Sequence, residues 1–221
     1  MINGDFDFIR ELTDQTAYYR FPNNGAMFAR LPTDLFTQLR AVAADARDGL
    51  VQLEPWNHNL VGHIRREYAI PDAIPMLEDY VLSIADAHDQ TFAYLRNLGM
   101  LSSHRNLRLR PLWINLQAKH EYNPPHSHSG VYSFVIWLHI PYDLDAELER
   151  FPGTRSDEAA MFNLMTTNIF GRIECHHVPV DRSYEGVICL FPSQMMHYVN
   201  PFYTSDDLRI SISGNLVFDV E

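Results

Sequence analysis

The chain reads as an α+β domain in which helices come first and a β-rich half follows, built as a sandwich or a jelly roll. Three observations predict this. Apolar residues recur at helical spacing before residue 100, and short β-rich runs replace them afterwards. No fixed-period repeat or low-complexity tract asks for a solenoid or a propeller. The length of 221 residues suits one domain, and a chain of that size buries roughly 70% of its extended surface without staples.

The elements follow in order. Tyr18-Tyr19-Arg20-Phe21-Pro22 reads as a strand, with Asn23-Asn24-Gly25 as its turn. From Pro32 the period changes: Leu35, Phe36, Leu39, Val42, Ala43 and Ala46 share one helical face. Thr33 or Asp34 stands where an N-cap belongs, and Gly49 where a left-handed C-cap belongs. A second helix is expected over residues 75–98, with Leu77, Val81, Ile84, His88, Thr91 and Leu95 as its stripe and Gly99 closing it. On that stripe, His88 is expected to be a core histidine bonded to a neighbour. Strands are then expected at 107–120, 131–140, 162–170, 172–178, 186–191 and 208–220. The acidic stretch 142–158 reads as a solvated loop, either a lid over a site or a plain surface connection. One domain, 1–221, results, with 1–104 as helical support and 105–221 as the β core.

Charge and cysteines narrow the function. Twenty-eight acids against seventeen bases give a formal charge of −11, which repels phosphate backbones and argues against nucleic acid as a partner. The clustered bases Arg105, Arg108 and Arg110 read either as an anion-binding patch or, more simply, as a strand with one solvated basic face. Cys175 and Cys189 make no disulfide framework and fit a reducing compartment, with Cys189 in the core. No apolar run reaches the roughly 18 residues of a membrane helix. The acidic start lacks the pattern of a signal peptide, so a cytoplasmic, membrane-free protein is expected.

Two segments carry chemistry. In a strand, residues two apart face the same side, so His126 and His128 can aim two imidazoles at one point. Such a pair suits Zn, Fe, Ni or Cu, though exposed His-x-His pairs also occur without a metal. The second segment is a buried strand ending Phe191-Pro192-Ser193, followed by His197, and then Arg209-Ile210-Ser211-Ile212-Ser213. Arg209, Ser211 and Ser213 share a face. An arginine among apolar strand neighbours is costly unless it meets an anion, and its planar fork fits a carboxylate. An internal ion pair with Asp206 or Glu185 would also satisfy it. Trp113, Asn115 and Gln117 share another strand face. Cys175-His176-His177 is no second centre, because adjacent strand residues point apart.

On these residues the chain resembles the iron(II)- and 2-oxoglutarate-dependent oxygenases, in particular the small stand-alone type. The likeness rests on His126-x-His128, on the strand ending Phe191-Pro192-Ser193 before His197, and on Arg209-x-Ser211, and it spans about residues 107–218. It implies a double-stranded β-helix (a jelly roll) buttressed by the N-terminal helices. It implies Fe(II) on the catalytic residues His126, His128 and His197. It also implies 2-oxoglutarate as co-substrate, its distal carboxylate on Arg209 and Ser211. On the face of Trp113, Asn115 and Gln117, Asn115 or Gln117 could add a contact to the keto acid, or that face could simply pack. Asn115 is taken as the candidate. The reaction implied is hydroxylation of a small molecule or a protein side chain by O₂, with release of succinate and CO₂. The family's usual second ligand is Asp or Glu, whereas this chain has His128. Either three histidines form the metal face, or His126 and His197 bind and a water, an anion, Glu121 or Asp143 completes it. A cupin-like three-histidine enzyme needing no keto acid, or a non-catalytic metal-binding relative, remains open beside the oxygenase. No motif speaks to the prime substrate or the oligomeric state.

Overall fold

In chain order the strands are β1 (Ile9–Leu12), β2 (Ala17–Tyr19), β3 (Met27–Arg30), β4 (Glu67–Ala69), β5 (Leu107–Gln117), β6 (Asn123–His126), β7 (Tyr132–His139), β8 (Phe162–Thr167), β9 (Ile173–Val178), β10 (Val187–Pro192), β11 (His197–Val199) and β12 (Arg209–Phe218). The helices are α1 (Thr33–Asp48), α2 (Pro75–Phe92), α3 (Tyr94–Asn97) and α4 (Leu144–Glu149). The computed structural model describes residues 9–12, 17–19, 24–70, 74–98, 106–153 and 158–219. Six strands form one antiparallel sheet in the order β3-β10-β7-β12-β5-β4. Four form a second, β6-β11-β8-β9, also antiparallel.

Strand β7 explains the layering. It is buried almost throughout, so it reads as a continuous apolar run rather than an alternating one. Phe134, Ile136 and Leu138 join Leu35 and Leu39 of α1 and Leu77 and Val81 of α2 in one core. Val135 and Trp137 turn the other way and join Phe162 and Leu164 of the smaller sheet in a second. The larger sheet therefore has helices on one face and the smaller sheet on the other, which is a jelly roll buttressed by helices. β3 and β4 pair into the larger sheet, so the β core draws on residues before 105.

Several expectations change in detail. The N-cap of α1 is Pro32, whose side chain caps nothing, and Thr33 and Asp34 are already helical. Proline sets φ near the helical value at an entry position, which makes a side-chain cap dispensable. Gly49, at φ 70°, does take the left-handed C-cap. The second helix does not run unbroken to residue 98. Ala93 adopts φ 50°, and the Asp89 carboxylate accepts from the Leu95 N–H at 2.7 Å, restarting the chain as α3. The break lets His88 and Tyr94 both pack on Tyr132, at ring distances of 5.1 and 5.2 Å. Thr91 is exposed, and Ala85 takes the buried place on the stripe. Tyr18 and Tyr19 are in β2, while residues 20–23, Gly99 and Arg105 lie outside the described residues. β5 stops at Gln117, and His120 turns left-handed at φ 68°.

The acidic stretch is solvated along much of its length but is not all loop: its middle is the helix α4, and residues 154–157 lie outside the described residues. Asp143 caps α4 by accepting from the Ala146 N–H at 3.2 Å. Glu147 is fully buried. Its carboxylate accepts from the Tyr203 and Thr204 N–H groups at 2.8 Å each and from the Thr204 hydroxyl at 2.5 Å. These bonds pin the helix to the segment leading into β12.

Candidate metal centre

β6 and β11 are paired so that His126 stands directly across from His197, with ring centroids 4.2 Å apart. His128 lies beyond the end of β6, and its N–H reaches the Ser193 carbonyl at 2.9 Å. That bond turns the chain so that the His128 ring sits 4.9 Å from His126 and 5.1 Å from His197. One ring nitrogen from each of the three lies within 4.8 Å of the others. Simple alternation thus found the right face, although the strand ends at His126.

Ring orientation and protonation suit a cation. His126 Nδ1 donates to the Pro124 carbonyl at 2.7 Å, and His197 Nδ1 to the Met195 carbonyl at 3.0 Å. In that tautomer each Nε2 keeps its lone pair for a metal. Burial lowers the pKa of His126 and, helped by His126 and His128, takes that of His197 well below the usual range. Burial, then the neighbouring His126, takes His128 down to about 4. All three are neutral at pH 7, the form that ligates. Three neutral imidazoles fit a first-row divalent ion and leave it a full double charge with which to attract anions. Of the alternative third ligands, the two carboxylates are engaged elsewhere. Glu121 is spent on the Ala118 and Arg65 N–H groups at 2.9 and 3.3 Å, and Asp143 caps α4.

The larger sheet forms the opposite wall of the same cavity. Arg209 is buried at 3% exposure. Its Nε and Nη2 donate to Gln117 Oε1 at 2.9 and 2.7 Å. Nη1 donates to the Tyr142 hydroxyl at 2.9 Å and the Ala160 carbonyl at 2.7 Å, and Nη2 to the Asn200 carbonyl at 3.0 Å. None of these acceptors is charged. The internal ion pairs considered above do not form: Asp206 pairs with Lys119, and Glu185 with His139 and Arg40. Among the described residues, the Arg209 charge has no carboxylate partner. Beside it, Asn115 Nδ2 donates to the hydroxyl oxygens of Ser211 and Ser213 at 3.2 Å each. Both serine protons are then free to face the cavity.

Other residues fall as follows. His88 is a core histidine, with Nε2 on the Gly25 carbonyl at 2.8 Å. His176 bonds Thr166 and His177 bonds Asn163, so the pair is split. Cys189 is fully buried and its thiol pKa is raised by burial. Arg108 is tied to Asp219 at 2.6 Å. Sequence reasoning missed Tyr142, placed in a loop, and Gln117 as the partner of Arg209. It also missed Glu67 and Asn123, which line the cavity from strands too short to show a period.

Comparison with known proteins agrees with this geometry. Residues 111–215 match the family model described as "Putative 2OG-Fe(II) oxygenase", a span that holds the three histidines, Arg209 and Ser211. Among solved structures, the chain is similar to a prolyl hydroxylase from Trichoplax adhaerens in complex with a hypoxia inducible factor peptide fragment. That match has a TM-score of 0.52 at 14% identity and covers 88% of this chain and 83% of that one. A Pseudomonas putida prolyl-4-hydroxylase matches with a TM-score of 0.49 at 19% identity over 88% and 92% of the two chains. A 2OG-Fe(II) oxygenase family oxidoreductase from Burkholderia pseudomallei matches with a TM-score of 0.48 at 16% identity over 87% and 84%. At these identities the likeness is one of fold. A search of the curated proteins finds no match.

Proposed function

We infer that this chain, whose residues 111–215 match the model of the 2OG-Fe(II) oxygenases, is an iron(II)- and 2-oxoglutarate-dependent hydroxylase whose work is divided among the residues just described. His126, His128 and His197 hold Fe(II). Arg209 and Ser211, with Asn115 behind the serine, receive the distal carboxylate of 2-oxoglutarate. Bound iron and keto acid supply the oxidising chemistry: O₂ is consumed, the keto acid leaves as succinate and CO₂, and one oxygen atom enters a substrate C–H bond.

The protein's share is placement and exclusion of water. The Nδ1 bonds of His126 and His197 fix two rings before a metal arrives, so little ordering cost remains. Trp137, Phe162 and Phe191 line the cavity with apolar surface, which strengthens every electrostatic contact inside. The observation that carries the reading is the pairing, in one cavity, of three converging neutral imidazoles with a buried cation that lacks an anion. All five N–H groups of Arg209 are engaged, so an incoming carboxylate must displace an acceptor. Two of those acceptors are backbone carbonyls and a third is the buried Tyr142. Gln117, whose Nε2 also donates to the Glu121 carbonyl, is the remaining acceptor, and its oxygen would yield the Nε–Nη2 edge, where a carboxylate binds through both oxygens.

Calorimetry of 2-oxoglutarate on the metal-loaded protein tests this assignment. Arg209→Lys should weaken binding by about tenfold or more, because a point charge replaces a fork. Gln117→Ala should leave it equal or tighter, since the displaced competitor is gone. Unchanged affinity in Arg209→Lys would remove the clamp. A second readout is slow succinate release by the wild type with Fe(II) and O₂ before any prime substrate is added.

A further inference from the structure

Beside the keto-acid contacts, the cavity holds two further polar side chains that neither the metal nor the keto acid uses. Glu67 stands across from Asn115 in the β4–β5 register, so its side chain shares the cavity face. It is 1% exposed. Its Oε2 accepts from Asn57 Nδ2 at 3.2 Å, and among the described residues Oε1 accepts nothing and no cation pairs with the carboxyl. Nearby, Asn123 Oδ1 is buried with no hydrogen-bond partner. The two oxygens meet at Gly62: a Cβ there would collide with Asn123 Oδ1 and lie 3.2 Å from Glu67 Oε1. The orphaned Asn123 oxygen is costly until a donor arrives, and Glu67 Oε1 is turned toward the same place. The neighbouring lining is Leu60, Val61 and Ile64, apolar surface of the kind an aliphatic stem covers. The chain's charge of −11 also draws cations toward it.

We propose that Glu67 and Asn123 receive the cationic nitrogen of the prime substrate, an aliphatic chain ending in an ammonium or a guanidinium. This assignment rests on the oxygenase reading and adds the substrate class to it. A cation there would donate to Glu67 Oε1 and Asn123 Oδ1 together and pair with the carboxylate in a site shielded from water. Glu67 is held partly neutral in the free protein: burial, then the Glu121 charge, moves its pKa up to about 7, and a bound cation would restore the ionised form.

The test is calorimetry on protein loaded with Zn(II) and 2-oxoglutarate, which binds without turnover. The probes are L-lysine against L-norleucine, L-arginine against L-citrulline, and each residue X in the peptide acetyl-Gly-X-Gly-amide. At least one cationic probe should bind about tenfold or more tighter than its neutral isostere. Free and peptide forms distinguish a metabolite from a protein side chain. Glu67→Gln should reduce the preference to less than about twofold, and Asn123→Asp, which adds a charge, should widen it. The second variant keeps the test open if the first fails to fold. Equal binding of cation and isostere by the wild type, no binding by any cationic probe, or a preference that survives Glu67→Gln overturns the proposal. Titrating 2-oxoglutarate first separates the two readings. Keto acid that fails to bind removes both, whereas keto acid that binds without any cation preference removes this one alone.

Discussion

Glu67 shows how one buried residue can set a property of the whole chain. Its carboxyl has an ordinary value of 4.5 and stands at about 7 in the fold, pushed first by burial and then by Glu121. The folded state therefore holds its proton more tightly than the unfolded state does. Linkage fixes the sign: the Glu67 contribution to stability is full below about pH 4.5 and is lost as pH rises through about 7. A shift of that size corresponds to a loss on the order of 3 kcal/mol. Urea unfolding of the metal-free wild type and of Glu67→Gln at pH 5 and pH 8.5 isolates this contribution, because the buried neutral histidines, whose lowered pKa values act with the opposite sign, are common to both proteins. Going from pH 5 to pH 8.5, the wild type should lose stability relative to Glu67→Gln. The same change in both proteins would place the titration elsewhere.

At the scale of elements, α4 matters because it anchors the approach to β12, the strand that bears Arg209. Glu147 is an acceptor-only side chain holding two backbone N–H groups and one hydroxyl, all inside the protein. Tyr142, just before α4, is a direct partner of Arg209. Glu147→Ala should strand those donors and cost about 3 kcal/mol or more of stability, since charge-assisted bonds are lost and no water replaces them. Thermal unfolding measures it, and 2-oxoglutarate affinity should weaken alongside. A melting temperature within a degree or two of the wild type would mean that α4 is not pinned in this way.

For the whole molecule, what could be read from the sequence depended on whether the signal was local. β7 and β12 are long, with apolar or alternating residues, and their spans were expected to within a few residues. The His126, His128 and His197 constellation was legible because two of its members are two residues apart and the third follows a strand-ending Pro-Ser. β4, β6 and β11 have three or four residues each. A stretch that short shows no period, and only pairing with distant strands makes it extended. The same non-locality hid Glu67 and Asn123, which meet at Gly62 through contacts no spacing rule encodes. α4 was hidden by its acidity: a charged six-residue segment reads as solvent-facing until Glu147 is seen to turn inward.

The proposed function turns on three histidines, rather than two and a carboxylate, making the iron site. Anaerobic calorimetric titration of Fe(II) into the wild type, His128→Ala and His197→Ala tests it most directly. The account predicts one ion per chain in the wild type and affinity lowered by about 100-fold or more in both variants, since each removes one of three ligands. Fe(II) bound by His128→Ala as tightly as by the wild type would contradict it.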